Sequence, residues 1–160
     1  MKGLSVVQCP SAQPTMLGAV IHGVVDAASG KIQHLSTPEP VTPELLAMTA
    51  PLLPTQVLRI SAPCQGGACG HFNGTDCTLV DRIVQIMPAT DSALPFCAIR
   101  ANCRWFSQRG RAACMRCDQI VTDEFVRDEQ MASLTVPAGR PAESSDLQGA
   151  IEQASQKEIF

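Results

Sequence analysis

The sequence predicts a small α+β protein. A β-hairpin and a short helix form its N-terminal half, a cysteine-rich half with short helices follows, and a flexible acidic tail ends the chain. Three observations carry this expectation. Val- and Ile-rich runs flank the turn signal Ala28–Gly30, as in a hairpin. A helical apolar period follows Cys77. Seven of the eight cysteines lie between Cys64 and Cys117.

Taken in order, Leu4–Gln8 reads as a short strand. Met16–Val25 is an apolar run interrupted by Gly18 and Gly23, and Lys31–Ser36 alternates like a half-buried strand. Pro38, Pro40 and Pro43 then break the chain. Pro43 suits the first turn of a helix over PELLAMTA, with Thr42 as its N-cap, ending before Pro51 and Pro54. Val57–Ser61 is a further strand. After Cys77, the apolar positions Leu79, Val80, Ile83, Val84 and Met87 share one helix face, with Thr78 as cap and Pro88 as stop. Thr122–Ser133 reads as helix, capped by Thr122 or Asp123. Pro137–Ser145 reads as a linker and Asp146–Phe160 as a weak helix or disordered tail. The expected organisation is a small α+β segment over residues 1–62 packing on a metal-binding region over 63–134, then a linker and tail over 135–160.

Composition narrows the function. Aromatic residues make up 4% of the chain, with no Tyr and one Trp, so the core must rest on aliphatic side chains. A metal would add its binding free energy to such a fold. Net charge is −3 but unevenly placed. The segment Cys97–Cys117 holds five arginines and no acid, whereas residues 118–160 hold nine acids and three basic groups. The acidic part can therefore dock on the basic one. Met1–Pro10 carries no signal-peptide pattern, and no apolar run reaches the length of a membrane span. A cytoplasmic location is expected, where cysteines serve as metal ligands or redox thiols rather than structural disulfides.

Four cysteines in Cys97–Cys117 follow the spacing C-x5-C-x10-C-x2-C. Cys97, Cys103, Cys114 and Cys117 thus make a full ligand set for zinc or an iron–sulfur cluster. Only one half of the set is a C-x2-C knuckle. Trp105, Phe106 and their aliphatic neighbours supply an apolar shell, which favours a [4Fe-4S] cluster over Zn2+. Arg100, Arg104 and Arg116 are the counter-charges, and Trp105 stacks over the centre. A second set comprises Cys64, Cys69 and Cys77, completed by Cys9 or His71, or left as a three-cysteine cluster with one open iron. The two blocks echo each other: C-x4-C-G-H-F precedes Cys77 and DRIV, and C-x5-C-R-W-F precedes Cys114 and DQIV. That self-similarity implies two related sites. His22 and His34 read as structural residues of the hairpin.

No P-loop, dinucleotide fingerprint or H-E-x-x-H run is present. The expectation is an iron–sulfur protein with one or two [4Fe-4S] clusters, acting in electron transfer or as accessory subunit to a larger redox enzyme rather than as a stand-alone enzyme. One alternative is a zinc-stabilised module for a protein partner. Another is a redox- or iron-sensing regulator gripping nucleic acid through the arginines, which the acidic net charge disfavours.

Overall fold

The structure is a computed structural model that describes residues 6–90, 93–120 and 122. The start of the predicted first strand, the predicted helix beyond Thr122, the linker and the acidic tail lie outside the described residues. Within them the fold is α+β: one four-stranded antiparallel sheet and several short helices.

The sheet contains β1 (Gln8–Cys9), β2 (Val20–Val25), β3 (Ile32–Pro40) and β4 (Leu58–Pro63), in the order β1-β4-β2-β3. The hairpin β2–β3 turns at Asp26, whose carboxylate accepts from the amides of Ala28 and Ser29 at 2.9 and 2.8 Å. A register shift between Ile21 and Gly23 interrupts β2. A Cβ at Gly23 would come within 2.4 Å of Ile32 Cγ2, so any larger residue there would force Ile32 to shift. The strand β3 runs through Pro38 to Pro40, further than its alternation predicts. It lies at the sheet edge, where a missing amide donor is tolerated.

The helix α1 (Pro43–Ala47) has the predicted cap: Leu45 N donates to Thr42 Oγ1 at 3.2 Å. It is shorter than its pattern, and a second turn, α2 (Pro54–Val57), follows it. The helix α3 (Thr78–Ile86) has Cys77 as its N-cap. Thr78 is instead its first helical residue, its hydroxyl donating to His71 O at 2.8 Å. The helices α4 (Arg104–Arg109) and α5 (Arg111–Cys114) meet at Gly110, whose φ of 60° and ψ of −142° suit glycine alone.

Two small cores result. Ile21, Ile60 and Ala62 from the sheet pack with Leu35 and with Leu45 of α1. Leu79, Val80 and Ile83 of α3 pack with Trp105, Ala113 and Ile120. The central strand β4 is buried on both faces. Ile60 and Ala62 enter the first core, while Arg59 and Ser61 alternate with them, and Arg59 reaches the cysteine-rich half. No helix among the described residues is long and apolar enough to cross a membrane.

Candidate metal centres

All eight cysteines are free thiols. They divide between two cavities, four to each, with Trp105 in the wall of both.

The first cavity is lined by Cys97, Cys103, Cys114 and Cys117, the set expected from their spacing. Local structure places each sulfur. Cys97 precedes a single 3-10 turn (Arg100–Asn102), anchored by buried Ile99. Cys103 is the N-cap of α4, so the amides of Trp105 and Phe106 point toward its thiol. Cys114 ends α5, and Cys117 opens another 3-10 turn (Cys117–Gln119). Burial pushes the Cys103 thiol up to about 12, and burial likewise raises Cys97 and Cys117. The other thiols of the set add to each shift by like-charge repulsion.

The second cavity is lined by Cys9, Cys64, Cys69 and Cys77. The strand β1 carries Cys9, and the end of β4 delivers Cys64, whose amide donates to Val7 O at 2.8 Å. Cys69 closes a 3-10 turn (Gly66–Ala68), as Cys103 closes its own. Cys77 is held at both backbone groups by Gln108: its N–H donates to Oε1 at 2.9 Å, and its carbonyl accepts from Nε2 at 2.8 Å. Burial raises the Cys9 thiol to about 11, and Cys64, Cys77 and Cys69 reinforce the shift.

His71 also lines this cavity, so both candidates for the fourth ligand are present. The geometry favours Cys9. Arg82 Nη2 lies 3.1 Å from His71 Nδ1, and a guanidinium can only donate. Nδ1 therefore holds the lone pair and Nε2 the proton, which leaves His71 no free nitrogen lone pair for a metal. Burial and Arg82 both lower the His71 pKa, consistent with this neutral ring.

The arginines of Cys97–Cys117 divide. Arg100 lines the first cavity, with its guanidinium 5.8 Å from the Phe106 ring and a hydrogen bond to Pro95 O. Arg104 crosses to the second cavity, 5.6 Å from the Phe72 ring. The Nε of each is buried without a hydrogen-bond partner among the described residues. Arg116 lines neither cavity; it ties helix ends by donating to Met87 O at 2.6 Å and Ala112 O at 2.8 Å. Arg109 pairs outward with Asp81 at 2.5 Å.

Three residues at the first cavity were not assigned to it from sequence. His22 and His34, read as hairpin residues, are in its wall. Their rings stack at 6.1 Å, and their ligand nitrogens lie with Cys97 Sγ within 4.8 Å of one another. Arg59, 4% exposed, donates to Cys117 Sγ at 3.3 Å, to Pro10 O at 2.9 Å and to Ile120 O. The available signal was in the strands. Each of β2, β3 and β4 sets a nitrogen-bearing residue next to a core aliphatic: Ile21–His22, His34–Leu35 and Arg59–Ile60.

The cavities differ in size, the second being ≈ 250 Å³ and the first ≈ 30 Å³. Among the described residues, His22, His34 and Cys97 are the group of three metal-binding side chains within 4.8 Å of one another; no three sulfurs of either cysteine set are that close. Comparison of the chain with known protein families, with curated proteins and with solved structures finds no match.

Proposed function

We propose that the chain is an iron–sulfur protein carrying two clusters, one per cavity, and that it acts in electron transfer or as accessory to a larger redox enzyme. The observation that carries this reading is the division of eight cysteines between two cavities, four to each, with Cys103 buried, the others half-buried and Trp105 in both walls. Cys9, Cys64, Cys69 and Cys77 would hold one cluster, and Cys97, Cys103, Cys114 and Cys117 the other.

The spread of the sulfurs supports clusters over single ions. Four thiolates on one tetrahedral zinc, with Zn–S near 2.3 Å, must lie roughly 3.8 Å apart. Here no three sulfurs of either set lie within 4.8 Å of one another, a wider spacing than one tetrahedral ion holds. Four thiolates around a cluster leave net negative charge. Arg59, Arg100 and Arg104 place cations or unpartnered N–H donors against that charge, which raises a centre's reduction potential.

The experiment is anaerobic iron and acid-labile sulfide analysis of the wild type beside Cys9→Ala and Cys114→Ala. Each variant is expected to lose about half the iron and sulfide. Wild type with stoichiometric zinc and neither iron nor sulfide would sink the reading. That outcome is the zinc-stabilised interaction module, and the narrowness of the first cavity is the observation in its favour. A volume of ≈ 30 Å³ holds little more than a water or a single ion without outward movement of its walls.

A partner would dock where a centre approaches the surface. The arginines are largely turned into the fold: Arg59, Arg100 and Arg116 bond to backbone carbonyls. These three guanidiniums are thereby taken up within the fold rather than free to grip phosphates.

A further inference from the structure

We infer that His22, His34 and Cys97 form a mononuclear transition-metal site of two nitrogens and one sulfur, with a fourth coordination position open to a small ligand. Their ligand atoms already lie within 4.8 Å of one another. Closing them to the roughly 3.3–3.8 Å of a tetrahedral ion bound by imidazole and thiolate takes about an ångström of side-chain rotation.

A second observation points to a ligand. His22 is 1% exposed, and its Nδ1 is buried without a hydrogen-bond partner among the described residues. A buried orphan nitrogen costs free energy unless something takes it up. The other nitrogen, Nε2, faces Pro10 O at 3.4 Å. If that nitrogen carries the proton and donates weakly to the carbonyl, Nδ1 keeps its lone pair for a metal. A carbonyl behind an imidazole is the usual arrangement that fixes a ligand histidine's tautomer.

The donor set selects the metal class. Two imidazoles and a thiolate suit zinc, cobalt, copper or nickel rather than magnesium or calcium. Three protein ligands leave one tetrahedral position, the composition of a reactive rather than a purely structural zinc. His34 also lines a separate cavity of ≈ 170 Å³, with Lys31, Pro95, Cys114 and Asp118.

The site needs no sulfide, but it uses a cysteine that the cluster reading assigns to the first cavity. The two occupancies of that cavity therefore exclude each other, and the mononuclear form belongs to the chain with no cluster there. Cys97 is the residue that changes service.

Cobalt titration of the full-length cluster-free chain, followed by thiolate charge-transfer and d–d absorption, tests this. The two four-cysteine sets also take cobalt, so the decisive protein is Cys64→Ser/Cys69→Ser/Cys114→Ser/Cys117→Ser, which disables both and leaves His22, His34 and Cys97 intact. It is expected to bind one cobalt, with about two nitrogens and one sulfur by X-ray absorption. Adding His34→Gln should weaken that binding by roughly tenfold or more, as should Cys97→Ser. His34 is only partly buried, so its substitution spares the fold, which circular dichroism checks. A folded four-serine protein that binds no cobalt, or binds it equally well after His34→Gln, overturns the proposal. If the four-serine protein does not fold, the wild type and its His34→Gln variant decide: equal cobalt stoichiometry and affinity overturn it. Iron and sulfide content of the anaerobic wild type reports on the cluster reading separately.

Discussion

Arg59 and Cys117 lie 58 positions apart in sequence, yet Arg59 Nη2 donates to Cys117 Sγ at 3.3 Å. The same guanidinium donates to Pro10 O, one residue after Cys9, and to Ile120 O. One buried cation thus touches the thiol of one site and the chain that supports the other. It also offsets part of the cost of ionising Cys117, whose thiol burial otherwise drives upward.

Replacing Arg59 with methionine keeps bulk and removes the donors. Two backbone carbonyls are then stranded. Hydrogen bonds from a charged group are worth about 1.5–3 kcal/mol each, so losing two should make Arg59→Met cost roughly 3–6 kcal/mol. A denaturant midpoint measured on the metal-free chain reads this directly. The metal-loaded chain should in addition hold its first centre less tightly than its second. Wild-type stability in the variant would mean that the three bonds contribute nothing net.

Gln108 does the reciprocal work from the other block. It sits on α4, next to the first site, but holds the backbone of Cys77 in the second. Its Nε2 also donates to Asp81 Oδ1 at 2.8 Å, on the same helix as the Cys77 cap. Gln108→Leu should cost about 1–3 kcal/mol, because the Cys77 amide and carbonyl lose their partner. Metal release to a chelator should quicken at the second site while the first keeps its rate. Equal quickening at both would show that Gln108 acts on the whole fold rather than on Cys77.

These two contacts explain what the sequence could and could not disclose. The first cysteine set was legible because its spacing is local and its four sulfurs arise from one 21-residue segment. Cys9 was legible only by count, since nothing near it in sequence says that β1 pairs with β4 and so meets Cys64. The Thr42 cap and the α3 face follow from local pattern and appear as expected. Arg59, His22 and His34 were missed for one reason. A strand shows its alternation but not what covers its other face, and here the second face meets the cysteine-rich half rather than solvent. Arg104 was assigned to the nearer site because sequence proximity says nothing of a side chain that crosses to the other cavity.

The thiols predict a pH response of definite sign. Burial raises Cys103 to about 12 and Cys9 to about 11, against an ordinary value near 9. Between those values the unfolded chain has lost protons that the folded metal-free chain retains. Stability is therefore full below about pH 9 and falls as pH rises toward 11–12, by about 1.4 kcal/mol per pH unit for each such thiol. Metal uptake on the proposed reading should run in the opposite sense: a metal would displace these protons, so apparent affinity should rise with pH and binding should acidify a weak buffer. Denaturant midpoints at pH 8 and 10 on the metal-free chain check the first effect, and proton release during metal titration checks the second. A metal-free chain more stable at pH 10 than at pH 8 contradicts the burial of these thiols.

Trp105 is the residue common to both sites. Its ring is 2% exposed, belongs to the core of α3, α4 and α5, and forms part of each cavity wall. Trp105→Ala removes the largest fully buried side chain and should cost about 3–5 kcal/mol. Trp105→Phe keeps an apolar ring at the same place and should retain most of that stability. Three patterns of metal retention are then distinguishable. Arg59→Met loosens the first centre, Gln108→Leu the second, and Trp105→Ala both together, because the wall they share also keeps water from each. If Trp105→Ala releases metal from one site alone, the ring seals only that cavity, and its exposure to the other plays no part in holding the metal.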